Sequence, residues 1–157
     1  MLQTLKPTKH SPTPSSGRLA FRGLIGGEPY ANPYWEQVMA WLVKGCEQGR
    51  ELTAIDIMRA VWEKRMQLWA VYDTETGIIH AVVVTEITDY PSLKTCTVLL
   101  LVGERMPEWL HYLEETLEPW ARENRCKTIR GWCREGLERT LAPRGWKRQR
   151  VLMEKDL

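Results

Sequence analysis

The sequence predicts a mixed α/β (α+β) fold: an antiparallel meander of three strands followed by a strand–helix–strand crossover. Three observations carry this prediction. The runs 78–88 and 95–102 are rich in Ile, Val and Leu, as strands buried on both faces are, and 67–72 precedes them across a hairpin signal. Other stretches repeat their apolar residues at helical spacing. One of these, beginning at Pro107, lies between two strand-like segments, an order that gives parallel neighbours.

Taken in order, residues 1–34 hold five of the nine prolines, with Ser, Thr and Gly between them. Such a stretch builds no core of its own, so it is expected as an extended arm outside the domain at 35–157. Tyr34, Val38, Trp41, Leu42 and Gly45 mark a first helix, with Gly49 as its expected C-cap. Thr53 is the expected N-cap of a second helix, whose apolar positions are Ile55, Ile57, Met58, Val61 and Trp62. The meander comes next, its strands joined by turns at Asp73–Gly77 and at Asp89–Ser92. Pro107 suits a first helical turn, and Trp109, Leu110, Leu113, Leu117, Trp120 and Ala121 form one apolar stripe. Pro119 inside that stripe is a potential kink. A short strand at 126–133, a short helix at 134–141 and a last strand at 146–155 complete the order.

Composition bounds the function. The 157 residues are 43% hydrophobic and 27% charged, which excludes a chain disordered throughout. No apolar run approaches the length of a membrane span, so no membrane partner is expected. The first sixteen residues lack the apolar core of a secretory signal. The four cysteines form no CxxC pair, and neither a metal nor a disulfide framework is expected; reduced thiols in a cytoplasm fit them. Aromatic usage is skewed to eight Trp and five Tyr against one Phe. Trp35, Trp41, Trp62, Trp109 and Trp120 fall on helical stripes and are expected to pack against the sheet.

Four segments together carry a resemblance to a known family. They are Gln67-Leu-Trp-Ala-Val-Tyr72, Val83-Val-Thr-Glu-Ile87, Glu118-Pro-Trp-Ala-Arg-Glu-Asn124, and Arg130-Gly-Trp-Cys-Arg134 followed by Arg144-Gly-Trp146. In order and residues, the span 35–155 resembles the GNAT (N-acetyltransferase) superfamily, in particular GNAT-like proteins of tailed bacteriophages. The resemblance implies acetyl-CoA as cofactor, its pyrophosphate held by backbone N–H groups of a Gly-rich loop before the long helix. The matching loop is Val102–Trp109. It departs from the family pattern: Glu104 and Glu108 are acidic and Pro107 lacks an N–H, which leaves Gly103 and Arg105 as the candidate phosphate ligands. The family's usual Tyr general acid, four residues before the last Gly–aromatic pair, falls on Leu141, which has no proton to give.

His80 and Glu86, on the second meander strand, are the candidate catalytic side chains, as a base near a substrate amine and as the lining of an acceptor cleft. His111 and Glu115, one helical turn apart, are expected as a surface ion pair. Charge is uneven: residues 122–150 carry ten Lys and Arg against three Glu, whereas 35–121 carry seven against fourteen acids. Arg130, Trp132, Arg134, Arg144, Trp146, Lys147 and Arg148 are therefore the candidate surface for nucleic acid or a partner protein. Two functions stand side by side. One is a binding or assembly component with no cofactor, associated with other virion or phage proteins in the host cytoplasm or the particle. The other is an N-acetyltransferase using acetyl-CoA through a divergent loop.

Overall fold

The computed structural model describes residues 19–24, 33–49, 51–133 and 135–157. Strand β1 (Leu19–Leu24) is followed by helices α1 (Trp35–Cys46) and α2 (Ala54–Trp62) and by strands β2 (Met66–Asp73), β3 (Ile79–Asp89) and β4 (Lys94–Gly103). Then come α3 (Met106–Glu123), β5 (Thr128–Gly131), α4 (Glu135–Leu141) and a 3-10 turn at Ala142–Arg144. The five strands form one sheet in chain order, antiparallel except for the β4–β5 pair. The meander and the parallel crossover are as the sequence predicts.

Local chemistry sets the elements. Thr53 and Asp56 close a reciprocal capping box on α2: the Asp56 N–H donates to Thr53 Oγ1 and the Thr53 N–H to Asp56 Oδ2. The Asp73 carboxylate accepts the N–H groups of Glu75 and Thr76, which fixes the β2–β3 turn. α1 ends at Cys46 with Glu47 as its cap, not Gly49. Helix α3 runs unbroken through Pro119.

Two apolar layers sandwich the sheet. Val38, Leu42, Ile57 and Val61 of α1 and α2 pack on Leu68, Val82 and Val84. Trp109, Leu113 and Leu117 of α3 pack on Trp69, Val71, Val83 and Cys96 of the other face. The tryptophans divide unevenly. Trp109 is fully buried, Trp120 stands edge-on to Trp69, and the Trp41 indole donates to the Ile79 carbonyl at 2.9 Å. Trp62, expected in the core, is 54% exposed, because α2 points Ile57, Ala60 and Val61 inward instead.

Two elements differ from the expectations. Residues 19–24 fall in the stretch expected as an arm outside the core, yet they form the edge strand β1, paired along β2 from Leu19–Asp73 to Leu24–Leu68. Leu19 and Phe21 point into the α3 layer, and Phe21 stacks on Trp69 at 5.5 Å between ring centroids. Burying Leu19 and Phe21 offsets the entropy cost of ordering the strand. The rest of 1–34, apart from 33 and 34, lies outside the described residues. The strand expected at 146–155 does not form. A strand needs a neighbour with free backbone groups, and β5 is only four residues long. The segment is instead tied by side chains: the Trp146 indole donates to Glu114 at 3.3 Å, and Arg148 reaches Glu138 through two nitrogens.

Candidate functional site

The sheet opens where β4 outruns β5. Their parallel pairing ends at Val98–Gly131, while β4 continues to Gly103. One residue before that continuation pairs again with β3, Leu99 is extra: Val98 faces Thr85 and Leu100 faces Val84. Such a bulge bends the strand and re-aims the residues beyond it. Gly103 then passes close over β3. A Cβ there would lie 2.3 Å from Ala81 Cβ and 2.5 Å from the His80 carbonyl oxygen, so the position requires glycine.

This crossing brings His80, Gly103 and Arg105 together at the N-terminus of α3. The Glu104 N–H donates to the His80 carbonyl at 2.9 Å. Arg105 takes a left-handed backbone (φ 59°) and occupies the N-cap position without a capping side chain. The buried Trp109 locks the loop by donating its indole N–H to the Glu104 carbonyl at 2.7 Å. The side chains form a closed set. His80 Nδ1 lies 2.9 Å from Glu104 Oε1, Arg105 Nη1 lies 3.5 Å from His80 Nε2, and Arg105 Nε donates to Glu108. The neutral tautomer that satisfies both histidine contacts carries its proton on Nδ1, donates to Glu104 and accepts from Arg105. Glu108 first, then Glu104, holds the Arg105 guanidinium charged.

A helix N-terminus attracts phosphate through free N–H groups and the positive end of its dipole. Several of these groups are already engaged here. The Glu104 N–H goes to His80, Pro107 has none, and the Glu108 N–H turns back to Arg105. Two carboxylates already sit at the positive end, and one of them neutralises Arg105. Among the described residues, no buried side-chain polar atom is left without a partner to await a ligand. A pyrophosphate brought to this end of α3 would meet the Glu104 and Glu108 carboxylates. Leu141 offers no proton either: it closes α4, and its carbonyl accepts the Trp146 N–H at 3.3 Å.

The remaining sequence candidates scatter. Glu86 lies on β3 opposite Met66 and Thr97, six residues from His80 or roughly 20 Å along the strand, so the two do not converge. His111 lies against the Tyr112 ring, at 3.8 Å between centroids. Arg144 pairs with Glu114 at 3.3 Å, beside Trp146, and Arg148 pairs with Glu138. Lys147 is exposed, and Arg134 lies outside the described residues. Arg130 is in mid-β5, with Trp132 just past its end. The partners of Arg130, Thr97 and Tyr90, escape sequence reading because only the parallel register of β4 and β5 brings them near. Burial pushes the Cys96 thiol up to about 12 and raises those of Cys46 and Cys126 as well.

No family model and no curated protein matches the chain. Solved structures do. An acetyltransferase from Trypanosoma brucei superposes with a TM-score of 0.62 at 14% identity, over 88% of this chain and 99% of that one. Glucosamine-6-phosphate N-acetyltransferase from Arabidopsis thaliana gives 0.61 at 14% identity, over 88% and 97%. A GNAT family acetyltransferase from Staphylococcus aureus gives 0.60 at 13% identity, over 89% and 99%. The chain has the GNAT acetyltransferase fold. No helix among the described residues is long and apolar enough to cross a membrane.

Proposed function

We propose that the chain uses the GNAT fold for binding rather than for acetyl transfer. One observation carries this reading: the N-terminus of α3, where a nucleotide pyrophosphate would sit, is filled by the chain's own His80–Glu104 and Arg105–Glu108 contacts. A carboxylate at that end repels phosphate, and an N–H already bonded to a carbonyl cannot serve it. Leu141 at the general-acid position supports the same reading. Resemblance of the sequence to GNAT-like proteins of tailed phages supports a role in assembly, with other phage or virion proteins as partners.

Calorimetric titration with acetyl-CoA tests the reading. The expected result is no saturable heat up to millimolar cofactor. A micromolar response that Arg105→Ala abolishes would overturn it. The assembly setting is tested by recovering a tagged chain with gradient-purified particles; its absence from them counts against that setting. One observation favours a second reading, an acetyl-CoA-dependent acetyltransferase. Beyond Val98, β4 has no strand beside it on the β5 side among the described residues, and so offers main-chain groups that an extended amide chain could pair with. The same titration separates the two.

A further inference from the structure

Most arginines that the structure fixes by polar contacts meet a carboxylate: Arg65, Arg105, Arg122, Arg144 and Arg148 each do. Arg130 does not. Its Nε donates to Thr97 Oγ1 at 3.1 Å and its Nη2 to the Tyr90 hydroxyl at 2.7 Å, while the guanidinium carbon sits over the Tyr90 ring, 5.2 Å from the centroid. These neutral groups fix the fork in place and leave its charge uncompensated among the described residues. Three of its five N–H groups remain for another acceptor.

The surroundings suit an anion that carries flat rings. β5 is the outer strand of the sheet, with no further strand beside it among the described residues. Thr128 and Arg130 lie on one face of β5, beside Thr95 and Thr97 of β4, and Trp132 follows the end of the strand. Trp132 is 65% exposed and Tyr90 is 43% exposed, so both rings offer a face to solvent. Lys127 is exposed just before the strand, its N–H bonded to the Lys94 carbonyl at 2.8 Å. Of the acids on β3, Asp89 faces Lys94 directly, and Glu86 stands in the Thr97–Arg130 row with Thr97 between it and the arginine.

We propose that this edge binds single-stranded nucleic acid. Arg130 and Lys127 meet the phosphate chain, and the Arg130–Tyr90 stack and the Trp132 indole carry bases. Electrostatics and base stacking together are the usual recipe for sequence-tolerant single-strand binding. An acidic protein would use the cations but has no need of two exposed rings. A duplex would keep its base faces buried. The inference names a partner class for the binding role proposed above, yet its readout is independent of acetyl-CoA.

The test is fluorescence anisotropy of the full chain with a labelled oligo-dT of about 16 nucleotides. Saturable binding is expected at about 50 mM salt, weakening steeply toward about 200 mM. Trp132→Ala and Arg130→Ala should each weaken it by about tenfold, whereas Trp62→Ala, an exposed tryptophan on α2, should leave it unchanged. Circular dichroism confirms that each variant is folded, and Arg130→Lys provides a second, milder substitution at that site, expected to keep the charge and lose the fork. Absence of saturable binding at the lower salt would overturn the proposal. So would binding indifferent to Trp132, equal affinity for a duplex of the same length, or displacement of the oligonucleotide by polyglutamate at equal charge.

Discussion

The N-terminus of α3 and the edge at β5 each present an arginine, and they treat it oppositely. At α3, Arg105 is neutralised by Glu108, and His80 is engaged on both ring nitrogens. At β5, Arg130 is held by a hydroxyl, a phenol and a ring, with no carboxylate among the described residues. Charge satisfied internally contributes to the architecture of a loop. Charge fixed but unsatisfied is available to a partner. The contrast matters because the GNAT fold directs attention to the first region, whereas the chemistry points to the second.

Substitutions can break this contrast. The largest effect is expected at Trp109, which is fully buried and anchors the Glu104 carbonyl. Trp109→Ala should cost about 3–5 kcal/mol in chemical denaturation, which would mark the α3 loop as architecture. Gly103→Ala should cost about 1–3 kcal/mol, because the added methyl meets the β3 backbone, which cannot yield as a flexible side chain would. Thr53→Ala removes the α2 cap, remote from both regions, and should cost about 1 kcal/mol.

That cap also gives a pH signature. The Thr53 hydrogen bonds hold Asp56 below the usual carboxylate range. A lowered folded-state pKa means stability that is present above the unfolded value and lost as pH falls through the folded one. Thr53→Ala should therefore flatten the acid limb of the stability curve below about pH 4. The smallest effect is expected at Trp132. Its replacement by Ala should change stability by less than about 0.5 kcal/mol, because the ring is already in water. A larger loss would mean that Trp132 is structural and would remove half of the contrast.

Sequence reading succeeded where the signal is local. The Thr53 cap, the Asp73 turn and the α3 stripe are each written within a few residues, and all three form. It failed where the partner is distant. β1 has only Leu19, Phe21 and Leu24 to announce it, and their inward pattern gains meaning beside Trp69. The 146–155 segment reads as a strand but pairs with none of the five strands. At the site, His80, Gly103 and Arg105 were legible as residues, but their meeting depends on the Ala81–Gly103 register. Glu104 was legible as misplaced charge near a phosphate, not as the partner of His80. Tyr90 was missed because forty residues separate it from Arg130.

The contrast between the two regions is tested most directly by amide and indole chemical-shift mapping of the full chain, titrated in turn with acetyl-CoA and with oligo-dT. Oligo-dT is expected to move the Trp132 indole and the amides of Thr128–Gly131, while acetyl-CoA leaves Gly103–Trp109 and the Trp109 indole unmoved. Saturable shifts at Gly103, Arg105 and Trp109 with acetyl-CoA, and none at Trp132 with oligo-dT, would contradict that expectation.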